Sequence, residues 1–363
     1  MAGEKARVAV IGTGWWSTYA HIPGLQANPA AALVAIADRS PVALDKAVAA
    51  YGPLKSYTDY RQMLAEERLD GVVVAVNHNA HYQVARDCLE AGLHVMLEKP
   101  MTLKAGEAHA LLDLARARSR ELIIGYPWHY TEATRRARQV VQSGQLGRIQ
   151  YVSCDFAGPT IEFYRNNDEA YRPLFHYPVT GPGKAYADPV LAGGGQGHLQ
   201  VTHSAASVFF ITGLAPERVS CFMENWDVPV DLVDAITVRF RAVDGGRAVG
   251  VLGSTGNMCA PCGTHFDVRV YCEEGHIMLD QATGTLFVRR HDNSEETFGP
   301  LDPDDTYPRF ATSANLVDVI LGRGENRSPA EVGVKVVELL EAAYRSAADD
   351  GRVVSIDEVL QAA

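Results

Sequence analysis

The sequence predicts an α/β chain in two parts: a parallel sheet wrapped in helices over residues 1–127, then an α+β unit with a large, mostly antiparallel sheet over residues 128–363. Three observations carry this. Short, continuous apolar runs alternate with helical stretches through the first third, the pattern of strands buried on both faces. After about Gly125 the runs change to period-2 alternation, as in strands with one wet face. A chain of 363 residues is also long for one hydrophobic core and comfortable for two.

In order, the apolar runs of the first part fall at residues 7–11, 33–37, 72–76, 95–97 and 122–124. Helices are expected at 81–91 and 104–118, and Pro41 opens another at its first turn, where a missing N–H does no harm. The second part begins with a helix over 132–143, ended by Gly144 and Gly147. Alternating strands follow at 148–156, 219–224, 235–241, 248–254, 266–272 and 286–289, and helices at 315–321 and 331–347. Residues 158–195 are rich in Pro, Gly and aromatics and show no periodicity. Loops that long inside a compact chain usually line a site.

Charge narrows the partners. Against 33 basic side chains stand 44 acidic ones, a net charge of -11. Nucleic acids and anionic membranes need a positive footprint, so neither is expected. No run of about 18 apolar residues appears, so no membrane span is expected. The first strand follows the N-terminus so closely that no signal peptide is expected. Six cysteines in a chain of this size make no disulfide scaffold, and a reducing cytoplasm is the expected location. Cys259 and Cys262, with His265 and Cys272, have the chemistry of a zinc site. They lie in a turn between strands with no second pair to balance them, so no metal is expected.

The strongest local signal is a glycine turn at the end of the first run, Gly12-Thr-Gly14-Trp15-Trp16-Ser17. Gly12 lets the chain leave the strand sharply, and Gly14 lets a pyrophosphate approach the backbone. The helix beginning there offers free N–H groups and a positive dipole end. Ser17 takes the place of a third glycine, and Trp15 and Trp16 can shield the phosphates. Asp38, at the end of the second run, suits the adenosine ribose hydroxyls. An acid there favours NAD over NADP, whereas Arg39 beside it can hold a 2′-phosphate. NAD is therefore expected first and NADP second.

A second signal is Glu98-Lys99-Pro100, which closes the run at 95–97. Pro100 biases Lys99 toward an extended conformation at the carboxyl end of its strand, where open parallel sheets bind ligands. With Gly12, Gly14, Asp38, the 70–76 run, His81 and the 91–95 segment, this resembles the glucose–fructose oxidoreductase/inositol dehydrogenase (Gfo/Idh/MocA) family. Gly193-Gly194-Gly195 followed by His203 is similar to that family's glycine run and catalytic-histidine helix. The resemblance implies a Rossmann domain, a sheet domain that walls the substrate, and NAD(P)-linked redox chemistry at a hydroxyl-bearing carbon. It places Val76, Asn77, His78, His81, Glu98 and Lys99 at the cofactor, and Lys99 and His203 at the reacting oxygen. Two departures stand out. Val76-Asn77-His78 replaces the usual Thr-Pro-Asn. Leu199 stands four residues before His203, where the family usually has Asp or Glu.

Hydride transfer from an alcohol needs a proton acceptor within reach of the hydroxyl. His203 is the first choice. Lys99 binds the same oxygen, or serves as the base itself. Trp128 and His129, at the domain junction, and Arg165, Tyr186 and Gln200 are the expected substrate contacts. The expected function is transfer of hydride between a nicotinamide and a ring hydroxyl of a sugar, cyclitol or glycoside. The alternatives are glycoside cleavage through transient oxidation and β-elimination, and a nucleotide-binding sensor without turnover. A homodimer or homotetramer is expected.

Overall fold

The computed structural model describes residues 4–259 and 263–361. Six parallel strands form the first sheet: β1 (Ala6–Ile11), β2 (Ala31–Ala37), β3 (Lys55–Tyr57), β4 (Gly71–Val74), β5 (His94–Leu97) and β6 (Leu122–Ile124). Their order is 3-2-1-4-5-6. The direction of winding reverses between β1 and β4, and the crevice at that reversal is where such sheets take nucleotides. The strand expected at 72–76 ends at Val74, because the chain turns out of the sheet to start the helix His81–Glu90.

Nine strands form the second sheet: β7 (Ile149–Ala157), β8 (Ala215–Glu224), β9 (Val233–Arg241), β10 (Arg247–Thr255), β11 (His265–Cys272), β12 (Gly275–Asp280), β13 (Thr285–Arg290), β14 (Glu295–Phe298) and β15 (Val354–Ser355). The order is 14-13-12-11-7-10-9-8-15, antiparallel except where β7 lies parallel to β10. The sequence pattern did not give β3, β12, β14 or β15. β3, β14 and β15 are short and mainly polar, so pairing with a neighbour defines them, whereas β12 does alternate, with Ile277 and Leu279 buried.

Two late helices return to earlier parts of the fold. Ala311–Ile320 packs Leu316 and Val317 against Val8, Val10 and Ile123 of the first sheet. Gly71 makes room for it, since a Cβ there would come within 2.7 Å of Ile320. Ala330–Ala347 lies against β8, the helix Thr202–Thr212 and the helix Ala105–Ala117. One buried apolar cluster therefore runs from the first sheet into the second and fixes the cleft between them. Residues 158–195 contain four short helical turns and no strand. No helix among the described residues is long and apolar enough to cross a membrane.

Candidate active site

A cavity of about 1000 Å³ opens at the carboxyl ends of β1, β2, β4 and β5 and is closed by the second sheet and the 158–195 loop. At one end lies the glycine turn. Gly12 has φ +95°, and a Cβ on it would stand 2.3 Å from the Ala75 carbonyl oxygen, so only glycine fits. Nothing lies within 4 Å of a Cβ on Gly14, which leaves that stretch of backbone open to a ligand. Ser17 does more than save space, for its hydroxyl donates to the Gly12 carbonyl at 2.5 Å and holds the turn.

The Asp38 carboxylate accepts from the Thr13 N–H at 2.8 Å and hydroxyl at 3.1 Å, and from the Ser40 N–H at 2.9 Å. Arg39 and Arg61 line the same end. From the end of β2 to the end of β5 is three strand spacings, about 14 Å. An open glycine turn, an acid at the end of β2 and a long trough between strands fit an extended dinucleotide. Trp15, Trp16, Val76, Asn77, His78 and His81 line the trough as well. His78 donates from Nδ1 to the Ala192 carbonyl at 2.9 Å, tying the long loop to this end. His81 is a buried strut between the carbonyls of Pro100 (2.7 Å) and Val76 (3.1 Å).

At the other end sits Lys99, buried, with its amine donating to the Leu199 carbonyl at 3.1 Å. Burial, only partly countered by the Glu98 charge, pushes the Lys99 pKa down to about 8. Glu98 accepts from the Trp16 indole at 3.0 Å, from His21 Nε2 at 2.8 Å and from the Lys99 N–H at 3.2 Å. Burial alone would raise its pKa, but the His21 hydrogen bond and the Lys99 charge leave it lowered. Gly125 leaves it room, because a Cβ there would come within 2.8 Å of the carboxylate.

His203 lines the same end, and its Nδ1 is buried without a hydrogen-bond partner among the described residues. Burial, then the nearby Lys99 charge, hold its pKa well below the ordinary histidine value. The ring is neutral at pH 7. A π-helical turn, Gly197–Val201, precedes the helix carrying it. Leu199 therefore presents its carbonyl to Lys99 while its side chain packs among Tyr164, Val228, Val230 and Leu232.

The cavity brings together Lys99, His203, Trp128, Tyr186 and Gln200. It does not bring in His129 or Arg165. His129 is fully buried, stacked on Phe210 at 4.1 Å and bonded to Ser328 and the Ala206 carbonyl. Arg165 turns away to Glu162 at 2.8 Å and Asp227 at 2.6 Å. Several residues escaped the sequence reading. His21 joins Glu98 across 77 positions, with no local signal to mark it. Asp231 accepts from the Gly195 and Gly197 N–H groups, each at 2.7 Å, and from Tyr344 at 2.9 Å, and so anchors the glycine run. Phe156 and Phe266 line the cavity, and their strand alternation was the available hint. Cys262 lies outside the described residues, and no cluster of three or more metal-ligating side chains occurs among those described.

Residues 6–126 match the model of an oxidoreductase family with an NAD-binding Rossmann fold, and residues 134–278 match the C-terminal domain model of the same Gfo/Idh/MocA group. An uncharacterized oxidoreductase of Synechocystis is 32% identical over 149 residues, 41% of this chain and 40% of that protein. The chain thus spans about two fifths of the length of the first curated relatives it matches. D-xylose 1-dehydrogenase (NADP(+)) 2 of Haloferax volcanii is 26% identical over 96% of this chain and 99% of its own. An oxidoreductase domain protein from Kribbella flavida superposes with a TM-score of 0.81 at 20% identity, over 98% of this chain and 100% of that one, which shows a shared fold. The chain belongs to the Gfo/Idh/MocA family of oxidoreductases.

Proposed function

We propose that this Gfo/Idh/MocA-family chain is an NAD-dependent dehydrogenase that oxidises a ring hydroxyl of a sugar, cyclitol or glycoside, and reduces the ketone in reverse. The observation that carries it is Lys99: a buried amine at the cavity end, its pKa pushed down to about 8, aimed by the Leu199 carbonyl. The glycine turn, Asp38 and the trough would hold the dinucleotide, and Asp38 favours NAD. When bound, the nicotinamide supplies the two-electron acceptor for the hydride leaving the carbon.

The chain's own groups handle the proton and the oxygen. Neutral Lys99 takes the hydroxyl proton as the C–O bond gains double-bond character; protonated, it returns that proton in reduction. Its pKa near the working range suits this task better than that of His203, so the amine is the base and the neutral imidazole holds the same oxygen. Glu98, fixed by His21 and Trp16, keeps the Lys99 backbone in place. The aromatic surroundings exclude water, which strengthens each polar contact. Exposed Phe222 and Val249 on the second sheet support self-association, to be read by size-exclusion with light scattering.

Calorimetry with NAD(H) and NADP(H), followed by a polyol and glycoside panel read at NADH absorbance and by product analysis, tests the reading. Tighter binding of NAD and NADH formation with a ring alcohol are expected. Binding of neither cofactor would overturn it.

A further inference from the structure

The crevice between β1 and β4 has a cover. Residues 158–195 leave the second sheet and come down on both of its banks. On the β1 bank stands Trp15, next after the second glycine of the turn. Its indole N–H donates to the Tyr186 hydroxyl at 3.1 Å. Its ring meets those of Phe175 at 5.6 Å, Phe163 at 5.9 Å, Tyr177 at 6.0 Å and Tyr186 at 6.4 Å, so four aromatic side chains of the loop close round one side chain of the turn. On the β4 bank His78 donates to the Ala192 carbonyl at 2.9 Å and faces the Tyr186 ring at 6.0 Å. Between the banks Gly181, Pro182, Ala185 and Tyr186 line the same cavity as Gly12 and Gly14. The glycine turn is the floor of this trough and the loop is its roof.

Little holds the roof down. The backbone hydrogen bonds of the loop run within itself and to the second part, at Thr255 and Gly256, and none reaches the first part among the described residues. Its base is anchored, because Ile161, Tyr164 and Tyr171 are buried with Val228, Val230 and Leu232. Farther along, Leu174, Lys184 and Val190 are exposed. Two hydrogen bonds, Trp15 to Tyr186 and His78 to Ala192, tie the loop to the first part among the described residues. A single bond of this kind, exchanged against water, shifts an equilibrium about fivefold. Either can open without disturbing the two sheets.

We propose that residues 158–195 are a strap over the bound dinucleotide, latched to the glycine turn by Trp15 and Tyr186, which lifts for NAD and NADH to exchange. This rests on the dinucleotide part of the reading above. It gives Tyr186 the task of retaining the cofactor, where its chemistry alone suggested a sugar contact. Release of NADH then waits on the latch, as product release waits on lids elsewhere.

The test reads the cofactor and the loop rather than turnover. NADH dissociation from the full chain is followed by stopped-flow fluorescence on displacement with excess NAD, for the unaltered chain, Tyr186→Phe, Trp15→Phe and the double variant. Each substitution keeps an aromatic ring and removes one half of the latch. Each single variant is expected to release NADH about fivefold faster. The double variant is expected to be no faster than either, because both remove one bond. Trypsin gives a second reading at exposed Lys184, beside Tyr186 in the loop. Cleavage there is expected to be about threefold or more faster in each variant without cofactor, and NADH is expected to slow it in the unaltered chain. Release within twofold of the unaltered rate in either single variant overturns the strap, as do single effects that multiply in the double variant. Cleavage at Lys184 that neither the variants nor NADH change overturns it too. A chain that binds NADH but fails these tests loses only the strap; a chain that binds neither NAD nor NADH loses the dinucleotide reading beneath it.

Discussion

The amine of Lys99 donates to the main-chain carbonyl of Leu199 at 3.1 Å, across 100 positions of sequence. A carbonyl dipole can aim an amine without adding the full negative charge that would keep it protonated. The residue that looked like a loss at position 199 therefore contributes through its backbone, and the lysine beside it keeps a pKa pushed down to about 8.

Replacing Lys99 separates function from stability. Lys99→Met should cut turnover about 10²–10⁴-fold, the usual contribution of a positioned acid–base group. Affinity for NAD(H) should stay within about threefold, because the dinucleotide contacts lie along the trough. Holding this amine protonated at pH 7 costs about 3 kcal/mol, from the fall from 10.5 to about 8. Removing it offsets the donor lost by Leu199, about 1–3 kcal/mol. Thermal unfolding should show no loss of stability; a melting temperature lower by more than a few degrees would count against the buried charge.

The pH dependence follows in sign. Oxidation needs neutral Lys99, so kcat/KM should climb with pH and level off above about 8. A limb well below the ordinary histidine value would assign the proton to the His203 imidazole instead. The folded pKa lies below the free value of 10.5, so between about 8 and 10.5 the folded chain binds fewer protons than the unfolded one. The Lys99 contribution to stability therefore rises with pH across that window and is lost as pH falls through about 8, which denaturant midpoints at several pH values can read.

Leu199→Asp puts a carboxylate among Tyr164, Val228, Val230 and Leu232, on the residue whose backbone carbonyl accepts from Lys99. It should cost about 2–4 kcal/mol of stability. It should also raise the Lys99 limb by about one pH unit or more, slowing oxidation at pH 7 about tenfold. Leu199→Asn, similar in shape and uncharged, should leave the limb where it is. An unmoved limb in the Asp variant would remove the coupling between position 199 and the lysine.

Asp231 and its neighbour Asp234 should respond differently. The Asp231 carboxylate takes two backbone N–H groups of the glycine run and the Tyr344 hydroxyl, so Asp231→Asn should cost about 2–3 kcal/mol by denaturant unfolding. Asp234 is buried; burial and the charge of Asp231 raise its pKa well above the usual carboxylate range. Asp234→Asn replaces a carboxyl whose charged form is disfavoured by burial and by Asp231, and should cost less than about 1 kcal/mol. Equal losses in the two variants would mean that both carboxylates are ionised in the folded chain.

Much of this was written locally. Five of the six strands of the first sheet follow from continuous apolar runs, and six of the nine of the second from alternation. The turn at Gly12 follows from a conformation and a close approach to Ala75 that only glycine allows. Lys99 was legible because Pro100 and the end of β5 mark where a side chain meets the cleft. Arg165 shows the limit of such reading. Its chemistry suits sugar hydroxyls, yet Glu162 and Asp227 are near enough to draw it away.

The sequence by itself determined the two sheets, the dinucleotide turn and the lysine, since periodicity and backbone sterics act between neighbours a few residues apart. Only the tertiary structure decided what surrounds that lysine. The Leu199 carbonyl reaches it through a π-helical turn, His21 reaches Glu98 from the first helix, and Asp231 reaches beneath the glycine run from a distant loop. The rings of Phe156 and Phe266 meet because β7 and β11 pair in one register. These contacts come from packing elements far apart in the chain, and packing leaves no periodic trace in the sequence.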